Sequence, residues 1–228
     1  EELENTEVLR SDFVNNFSHE FKTPIVSISG FAKLLKTENI TEEQRREYLD
    51  IIEEESRRLS AMATNVLNLT KVENQTILTD VSSFNLSEQI RTCVLILEDK
   101  WTAKQIDLQL DFDEISVVGS EELLRQVWLN LLDNAIKFTP CGGTVFIRIR
   151  QDEKSISVDV ANTGSSISSK DGERLFAKFY QCDTSHSTQG NGVGLAVVKR
   201  IVDLHSGIVF VESKNDMTTF TVMLPKIK

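Results

Sequence analysis

One histidine in this chain is placed to do chemistry. His19 falls within a helical series of apolar residues, Phe13, Phe17, Phe21, Pro24, Ile28, Phe31 and Leu35, whose intervals of four and three mark one helix face. At about 100° per residue His19 lies roughly 160° from that stripe, so the periodicity predicts an imidazole facing water rather than a packed core side chain. A lone exposed histidine is ordinarily only surface, but the neighbours change the reading. Glu20 can hold one imidazole nitrogen as a hydrogen-bonded N–H and so raise the nucleophilicity of the other. Lys22 adds a positive charge nearby. Pro24 removes a helical hydrogen bond just past the site and predicts a kink there, or a boundary between two helices.

Two further constellations lie downstream. In Asn130-Leu131-Leu132-Asp133-Asn134-Ala135-Ile136-Lys137-Phe138, residues Asn130, Asn134 and Lys137 fall on one helix face at spacings of four and three. An amphipathic surface could explain that face. Asparagine is a mediocre helix former, however, and two of them beside a lysine offer oxygens and a cation suited to Mg2+ and phosphates. Gly190-Asn191-Gly192-Val193-Gly194-Leu195 opens a predicted helix, where N–H groups freed by the glycines can cradle phosphates. The Gly-x-Gly-x-Gly pattern is weak by itself. A dinucleotide fold would place it after the first strand of a βαβ unit, whereas here it follows a long polar segment late in the chain.

Such residues need two kinds of scaffold. A polar stretch, Lys36 to Glu43, separates the first helical series from a second, Tyr48, Ile52, Leu59, Met62, Val66 and Leu69, in which Glu55 is the one polar residue of an otherwise regular heptad. The pair predicts an antiparallel helical hairpin over residues 1–73. A hairpin alone has too little core to bury two long apolar stripes, so a homodimer forming a four-helix bundle is expected; a plain coiled coil is the simpler alternative. Beyond Glu73 the heptads stop, and residues 74–83 read as a polar linker into a second domain, 84–228. There, helical periodicity over Ser87 to Lys104, Glu121 to Phe138 and Val193 to Leu204 alternates with strand-like runs. Those runs are Ile106 to Phe112, Thr144 to Arg150, Ser155 to Val160, Ile208 to Glu212 and Thr218 to Leu224, and the mixture predicts an α/β sandwich.

On these residues the chain resembles a known family. Ser18-His19-Glu20-Phe21-Lys22-Thr23-Pro24-Ile25 is similar to the H-box of sensor histidine kinases of the largest dimerisation-domain class. In that family the histidine takes the γ-phosphoryl of ATP and passes it to an aspartate on the receiver domain of a response regulator. The resemblance implies that His19 is the phosphoacceptor, Glu20 its acid/base partner, and Thr23 the residue that positions water when the protein dephosphorylates its regulator. The stretch from Asn130 to Phe138 resembles the N-box of the kinase ATP-binding domain, whose superfamily includes type II topoisomerases and the Hsp90 chaperone. By that likeness Asn134 is the Mg2+ ligand with Asn130 assisting, Lys137 sits on phosphate, and Phe138 lies beside the adenine or ribose. In the hydrolytic relatives a glutamate that activates water holds the place of Asn130. An amide cannot be that base, which implies transfer onto a protein histidine instead of rapid hydrolysis.

Gly190, Gly192 and Gly194, with Leu195, match the family's G2 box. Phe176-Ala177-Lys178-Phe179-Tyr180 resembles the F-box, with Lys178 a γ-phosphate contact and Gln181 through Gln189 a mobile ATP lid, although Phe176 also reads as ordinary core packing. Asn162-Thr163-Gly164-Ser165-Ser166-Ile167 is the poorest match, to a G1 box of the form Asp-x-Gly-x-Gly. Asn162 stands for the adenine-reading aspartate, Gly164 is retained, and Ser166 replaces the second glycine. The implied fold is a dimeric helical hairpin followed by an α/β sandwich of the histidine kinase, Hsp90 and topoisomerase type. The implied activity is ATP-dependent autophosphorylation on histidine, phosphoryl transfer to a regulator aspartate, and regulator phosphatase activity. The altered G1 box leaves a second reading, a nucleotide-poor scaffold or phosphatase that binds the regulator. A third, a chaperone- or topoisomerase-type ATPase, is disfavoured by Asn130 and the H-box.

Composition narrows the setting. A formal net charge of −10 argues against nucleic acid and anionic lipid as partners, since both require basic surface. No apolar run approaches the roughly 20 residues that span a bilayer, so no direct membrane contact is expected of this stretch. Cys93, Cys141 and Cys182 are odd in number, widely separated and outside any Cys-x-x-Cys spacing, which supports neither a disulfide framework nor a zinc site and fits a reducing cytoplasm. The chain begins at Glu1 without initiator Met or signal segment, so it is expected to be the cytoplasmic portion of a longer, membrane-anchored sensor.

Overall fold

The computed structural model describes residues 18, 20–37, 40–164, 166–167, 172, 174–177 and 193–226. Two units, Glu1–Thr70 and Lys71–Lys228, are taken separately.

In the first unit, α1 covers residues 20–34 and α2 runs from Glu42 to Glu73. Helix α1 is unbroken at Pro24, so that residue is not a boundary between two helices. The expected face turns inward, with Pro24 buried and Phe21, Ile28 and Phe31 half-buried. Thr41 starts α2 through a capping box. Its hydroxyl accepts from the Gln44 N–H at 3.1 Å while the Gln44 side-chain oxygen accepts from the Thr41 N–H at 3.0 Å. The Phe31 ring rests on Tyr48, with centroids 5.3 Å apart, and Arg58 pairs with Glu20. Moving down α1 from Glu20 to Phe31 therefore moves back along α2 from Arg58 to Tyr48, and the two helices are antiparallel. Met62 and Leu69 are buried on the α2 seam, Glu55 lies half-buried in the same row, and Ile25, Val26, Leu34, Leu49 and Leu67 remain exposed.

The second unit is a two-layer α/β sandwich. A five-stranded sheet has the order β2-β4-β5-β7-β6, built from Asp107–Asp111 (β2), Thr144–Gln151 (β4), Ser155–Thr163 (β5), Ile208–Lys214 (β6) and Met217–Pro225 (β7). Strands β2 and β4 are parallel and the remaining pairs antiparallel. Strict alternation buries Val145, Ile147 and Ile149, then Ile156, Val158 and Val160, then Phe220, Val222 and Leu224. Helices α3 (Leu86–Ile96), α5 (Glu121–Phe138) and α6 (Gly194–Leu204) supply the other half of the core, including Ile90, Leu124, Trp128, Leu131, Val198 and Ile201. Each such side chain contributes about 1.5–3 kcal/mol of burial.

Three features depart from the sequence reading. Strand β1 (Val81–Asn85) takes up part of the expected linker and pairs antiparallel with an unforeseen strand, β3 (Ser116–Ser120). The helix expected over Ser87 to Lys104 is two, α3 and α4 (Glu98–Ala103), divided at Leu97. Leu97 is buried, and the Trp101 indole N–H donates to the Val94 carbonyl across the break at 3.1 Å, so core packing outweighs helical continuity there. No helix among the described residues is long and apolar enough to cross a membrane.

His205 caps α6 and ties it to β3. Its Nε2 accepts from the Ser120 N–H at 3.0 Å, and its Nδ1 lies 2.8 Å from the Ile201 carbonyl, to which it must donate, so the ring is neutral. Burial pushes its pKa down, and the bond to Ile201 offsets part of that shift. The unfolded chain then takes up a proton near the ordinary value, about 6.5, before the folded one does. Its contribution to stability is intact above that pH and falls away as the pH drops toward the lower folded value. The denaturation midpoint should therefore decline between about pH 7 and pH 5, and His205→Gln, which cannot titrate, should flatten that decline. An equal slope in both proteins would assign the loss to other groups.

Candidate functional site

Helix α5 carries the second constellation beside the face that packs into the core. Leu124, Val127, Leu131 and Ala135 are buried, and Asn130, Asn134, Lys137 and Phe138 lie half-buried along one edge of that stripe. The Asn130 side-chain N–H donates to the Gln126 carbonyl at 2.8 Å, which fixes the amide and turns its Oδ1 outward from that bond. A Cβ built on Gly194 would come within 2.6 Å of this Oδ1, so the first residue of α6 lies directly against Asn130. Only a residue without a side chain allows that approach. Two sequence motifs separated by about sixty residues thus meet at one point, with an amide oxygen facing the start of a helix. The first-turn N–H groups of α6 carry partial positive charge, and Val193 supplies no side-chain cap to them. Leu195 follows in the first turn, half-buried.

At the other end of α5 a residue the motifs did not single out fixes the backbone. The Lys104 ammonium donates to the carbonyls of Ile136, Lys137 and Thr139 at 2.9, 2.7 and 3.0 Å, closing the helix C-terminus with a full positive charge. This holds the segment that presents Lys137 and Phe138, whose ammonium and ring lie 4.7 Å apart. Lys104 gave no local signal because it stands more than thirty residues from the carbonyls it caps.

The end of β5 carries the residues that resemble the G1 box. Asn162 has the same parity as Ile156, Val158 and Val160, so it points into the layer between sheet and helices, where it is 2% exposed. Its side-chain N–H reaches the Thr163 carbonyl at 3.3 Å. Gly164 next to it has φ 81°, and a Cβ there would lie 2.4 Å from Pro140 Cδ, so both backbone and space require glycine. Its N–H donates to the Asp216 carbonyl at 2.9 Å, closing the strand end. Ser166 is exposed.

On the hairpin, Glu20 and Thr23 lie on α1, Thr23 exposed and Glu20 with its carboxylate 3.8 Å from an Arg58 guanidinium nitrogen. His19, Lys178, Gly190, Gly192 and the expected lid from Gln181 to Gln189 lie outside the described residues. A divalent cation of the Mg2+ type takes oxygen ligands, and the oriented Oδ1 of Asn130 is such a donor, so the residues present fit that group.

Two family models match the chain and between them span most of it. The His Kinase A (phospho-acceptor) domain covers residues 9–75, and the Histidine kinase-, DNA gyrase B-, and HSP90-like ATPase covers residues 119–228. Heme sensor protein HssS of Staphylococcus saprophyticus is 34% identical over 228 residues, which is 99% of this chain and 48% of that protein. HssS of Staphylococcus aureus strain Newman is 33% identical over 227 residues, 99% of this chain and 49% of its own length. The chain thus spans about half the length of the curated relatives it matches. Histidine kinase ThkA, solved in complex with response regulator protein TrrA, aligns with a TM-score of 0.81 at 26% identity over 98% of this chain and 64% of that one. The nucleotide-free catalytic domain of ThkA gives 0.59 at 28% identity, covering 65% of this chain and 99% of that one.

Proposed function

The chain belongs to the sensor histidine kinase family, and on that premise we propose that it phosphorylates its own His19 from ATP and passes the phosphoryl group to an aspartate on a response regulator's receiver domain. The observation that carries this reading is the contact of Asn130 Oδ1 with Gly194, which unites the N-box and G2 glycine in a domain encoded behind a phosphoacceptor hairpin. The chemistry is a displacement at phosphorus. One imidazole nitrogen of His19 forms a bond to the γ-phosphorus, the bridging P–O bond breaks, and its electron pair leaves on ADP. Glu20 accepts the proton of the other imidazole nitrogen. Asn134 and Asn130 would hold Mg2+, which when bound draws charge from the phosphate oxygens. Lys137 and Lys178 neutralise phosphate, and the N–H groups of Gly190, Gly192, Gly194 and Leu195 line the chain of phosphates. Phe138 lies along the base or ribose, and Asn162, between sheet and helices, reads the adenine beside Gly164.

The same hairpin serves the reverse task in this proposal, with Thr23, one turn past His19, orienting water for dephosphorylation of the regulator. Exposed Ile25, Val26, Leu34, Leu49 and Leu67 supply apolar surface for a homodimer. The chain acts as the cytoplasmic part of a membrane-anchored sensor. Incubation with γ-labelled ATP and Mg2+ tests the reading. Acid-labile label retained on the protein supports it, an unlabelled protein supports the nucleotide-poor scaffold, and free phosphate alone supports a hydrolytic ATPase.

The G1 box sets an affinity. The amide oxygen of Asn162 is a neutral acceptor for the adenine amino group where an aspartate would be a charged one, a difference of about 1 kcal/mol or roughly fivefold. Asn162→Asp should tighten ATP binding by about that factor, and adding Ser166→Gly should tighten it further by restoring backbone freedom. Calorimetric titration of the three proteins decides. A native chain that already binds as tightly as the double variant would make the G1 departure neutral.

A further inference from the structure

The hairpin holds a charged cluster of which the reaction above uses only Glu20. Arg58 on α2 lies between two carboxylates, with one guanidinium nitrogen 3.8 Å from Glu20 Oε2 on α1 and the other 3.8 Å from Glu55 Oε2 on α2. The three side chains are mostly withdrawn from water, 24% exposed for Arg58, 33% for Glu20 and 19% for Glu55. Both separations are ion-pair distances rather than hydrogen bonds. Glu20 Oε2, Glu55 Oε2 and Arg58 Nε are buried and have no hydrogen-bond partner among the described residues. Glu55 also occupies a seam position between Ile52 and Leu59, where an apolar residue would pack without desolvating a charge. A purely structural role leaves both facts unexplained.

One guanidinium shared by two carboxylates and fully bonded to neither can close on either with a small rotation, since its planar fork presents separate nitrogens to each. Glu20 directly follows His19 in the chain. We propose that Arg58 is a positioning residue that sets the Glu20 carboxylate for proton exchange with His19, and that Glu55 takes over the guanidinium when Glu20 turns to the imidazole. This inference rests on the kinase reading. As the His19 nitrogen bonds to the γ-phosphorus and the bridging P–O bond breaks toward ADP, the proton of the second nitrogen passes to Glu20. A protonated Glu20 no longer holds the cation, and Arg58 closes on the ionised Glu55. The cluster thereby keeps one charged pair throughout, and Glu20 is released without stranding Arg58. The reverse exchange returns the proton when the phosphoryl group leaves His19.

A double-mutant cycle tests this on the whole chain, reading initial rates of acid-labile labelling over a range of Mg·ATP concentrations. Arg58→Gln should lower the saturating rate about tenfold while KM for ATP stays within about twofold, because the nucleotide is bound elsewhere. Arg58→Lys, which keeps the cation, should recover most of the loss. Glu55→Gln should lower the rate about threefold, and in a Glu20→Gln background both substitutions should cost less than about twofold further, since they act through Glu20. Should Arg58→Gln fail to fold, the Glu55→Gln cycle carries the same decision. A native rate in Arg58→Gln, or losses that persist unchanged in the Glu20→Gln background, would overturn the inference while leaving the kinase reading intact. A native chain that takes no label would overturn the kinase reading and this inference together.

Discussion

His19→Gln is expected to remove all acid-labile label from the chain while leaving its affinity for ATP unchanged. The reaction needs an uncharged nitrogen lone pair at the γ-phosphorus, and a glutamine amide has none, because its nitrogen lone pair is delocalised into the carbonyl. Loss of a nucleophile is an all-or-none effect, on the order of a thousandfold or more and in practice below detection. The other histidines do not rescue it. His205 is buried with both ring nitrogens engaged, by the Ser120 N–H and the Ile201 carbonyl, and so cannot reach a phosphate. His186 lies outside the described residues, in the expected lid. Calorimetry beside labelling separates the two functions. Label remaining on His186 or His205 would refute the assignment.

Gly194→Val is expected to produce the opposite pattern, loss of nucleotide binding with the acceptor intact. A Cβ at position 194 meets Asn130 Oδ1 at 2.6 Å, closer than real side chains approach, and the amide cannot swing aside without giving up its bond to the Gln126 carbonyl. The conflict displaces either the proposed cation ligand or the start of α6, each a part of the proposed phosphate site. ATP affinity should fall at least about tenfold, with a cost of about 1–3 kcal/mol in domain stability from overpacking. Gly30→Ala is the control, since nothing lies within 4 Å of a Cβ there. Unchanged affinity in a folded Gly194→Val protein would show that the contact with Asn130 plays no part in binding nucleotide.

What the sequence made legible follows from how local each signal is. The hairpin could be read because its faces repeat along one helix at a time, from Phe21 to Phe31 and from Tyr48 to Leu69. Helix α5 matched its expected span because its apolar and polar flanks are both complete turns. Strands β4, β5 and β7 could be read from alternation, and the ladder carries β5 past Val160 to Thr163, which is what places Asn162 inside the sandwich. Strands β1 and β3, five residues each, are rich in serine and lack a clean alternation, so only their pairing with each other reveals them. The break at Leu97 is likewise a tertiary decision.

Within the site the motifs supplied residue types, whereas long-range contacts supplied function for individual atoms. The contact of Asn130 with Gly194, the three carbonyls gathered by Lys104, and the packing of Gly164 on Pro140 all join segments with no periodic relation in the chain. Glu55 stood out in the sequence as a polar residue in an apolar row, but its meaning depends on Arg58 and on the second helix.

The proposed chemistry places a phosphoryl group from ATP on one histidine of this chain. The most direct measurement is peptide mapping of the native protein after incubation with Mg·ATP, using alkaline handling throughout. One phosphoryl group is expected on the tryptic peptide Ser11–Lys22, stable in alkali, lost in acid and localised to His19 by fragmentation. Phosphate released to solution with no modified peptide, or a phosphoryl group on a peptide that lacks His19, would contradict that chemistry.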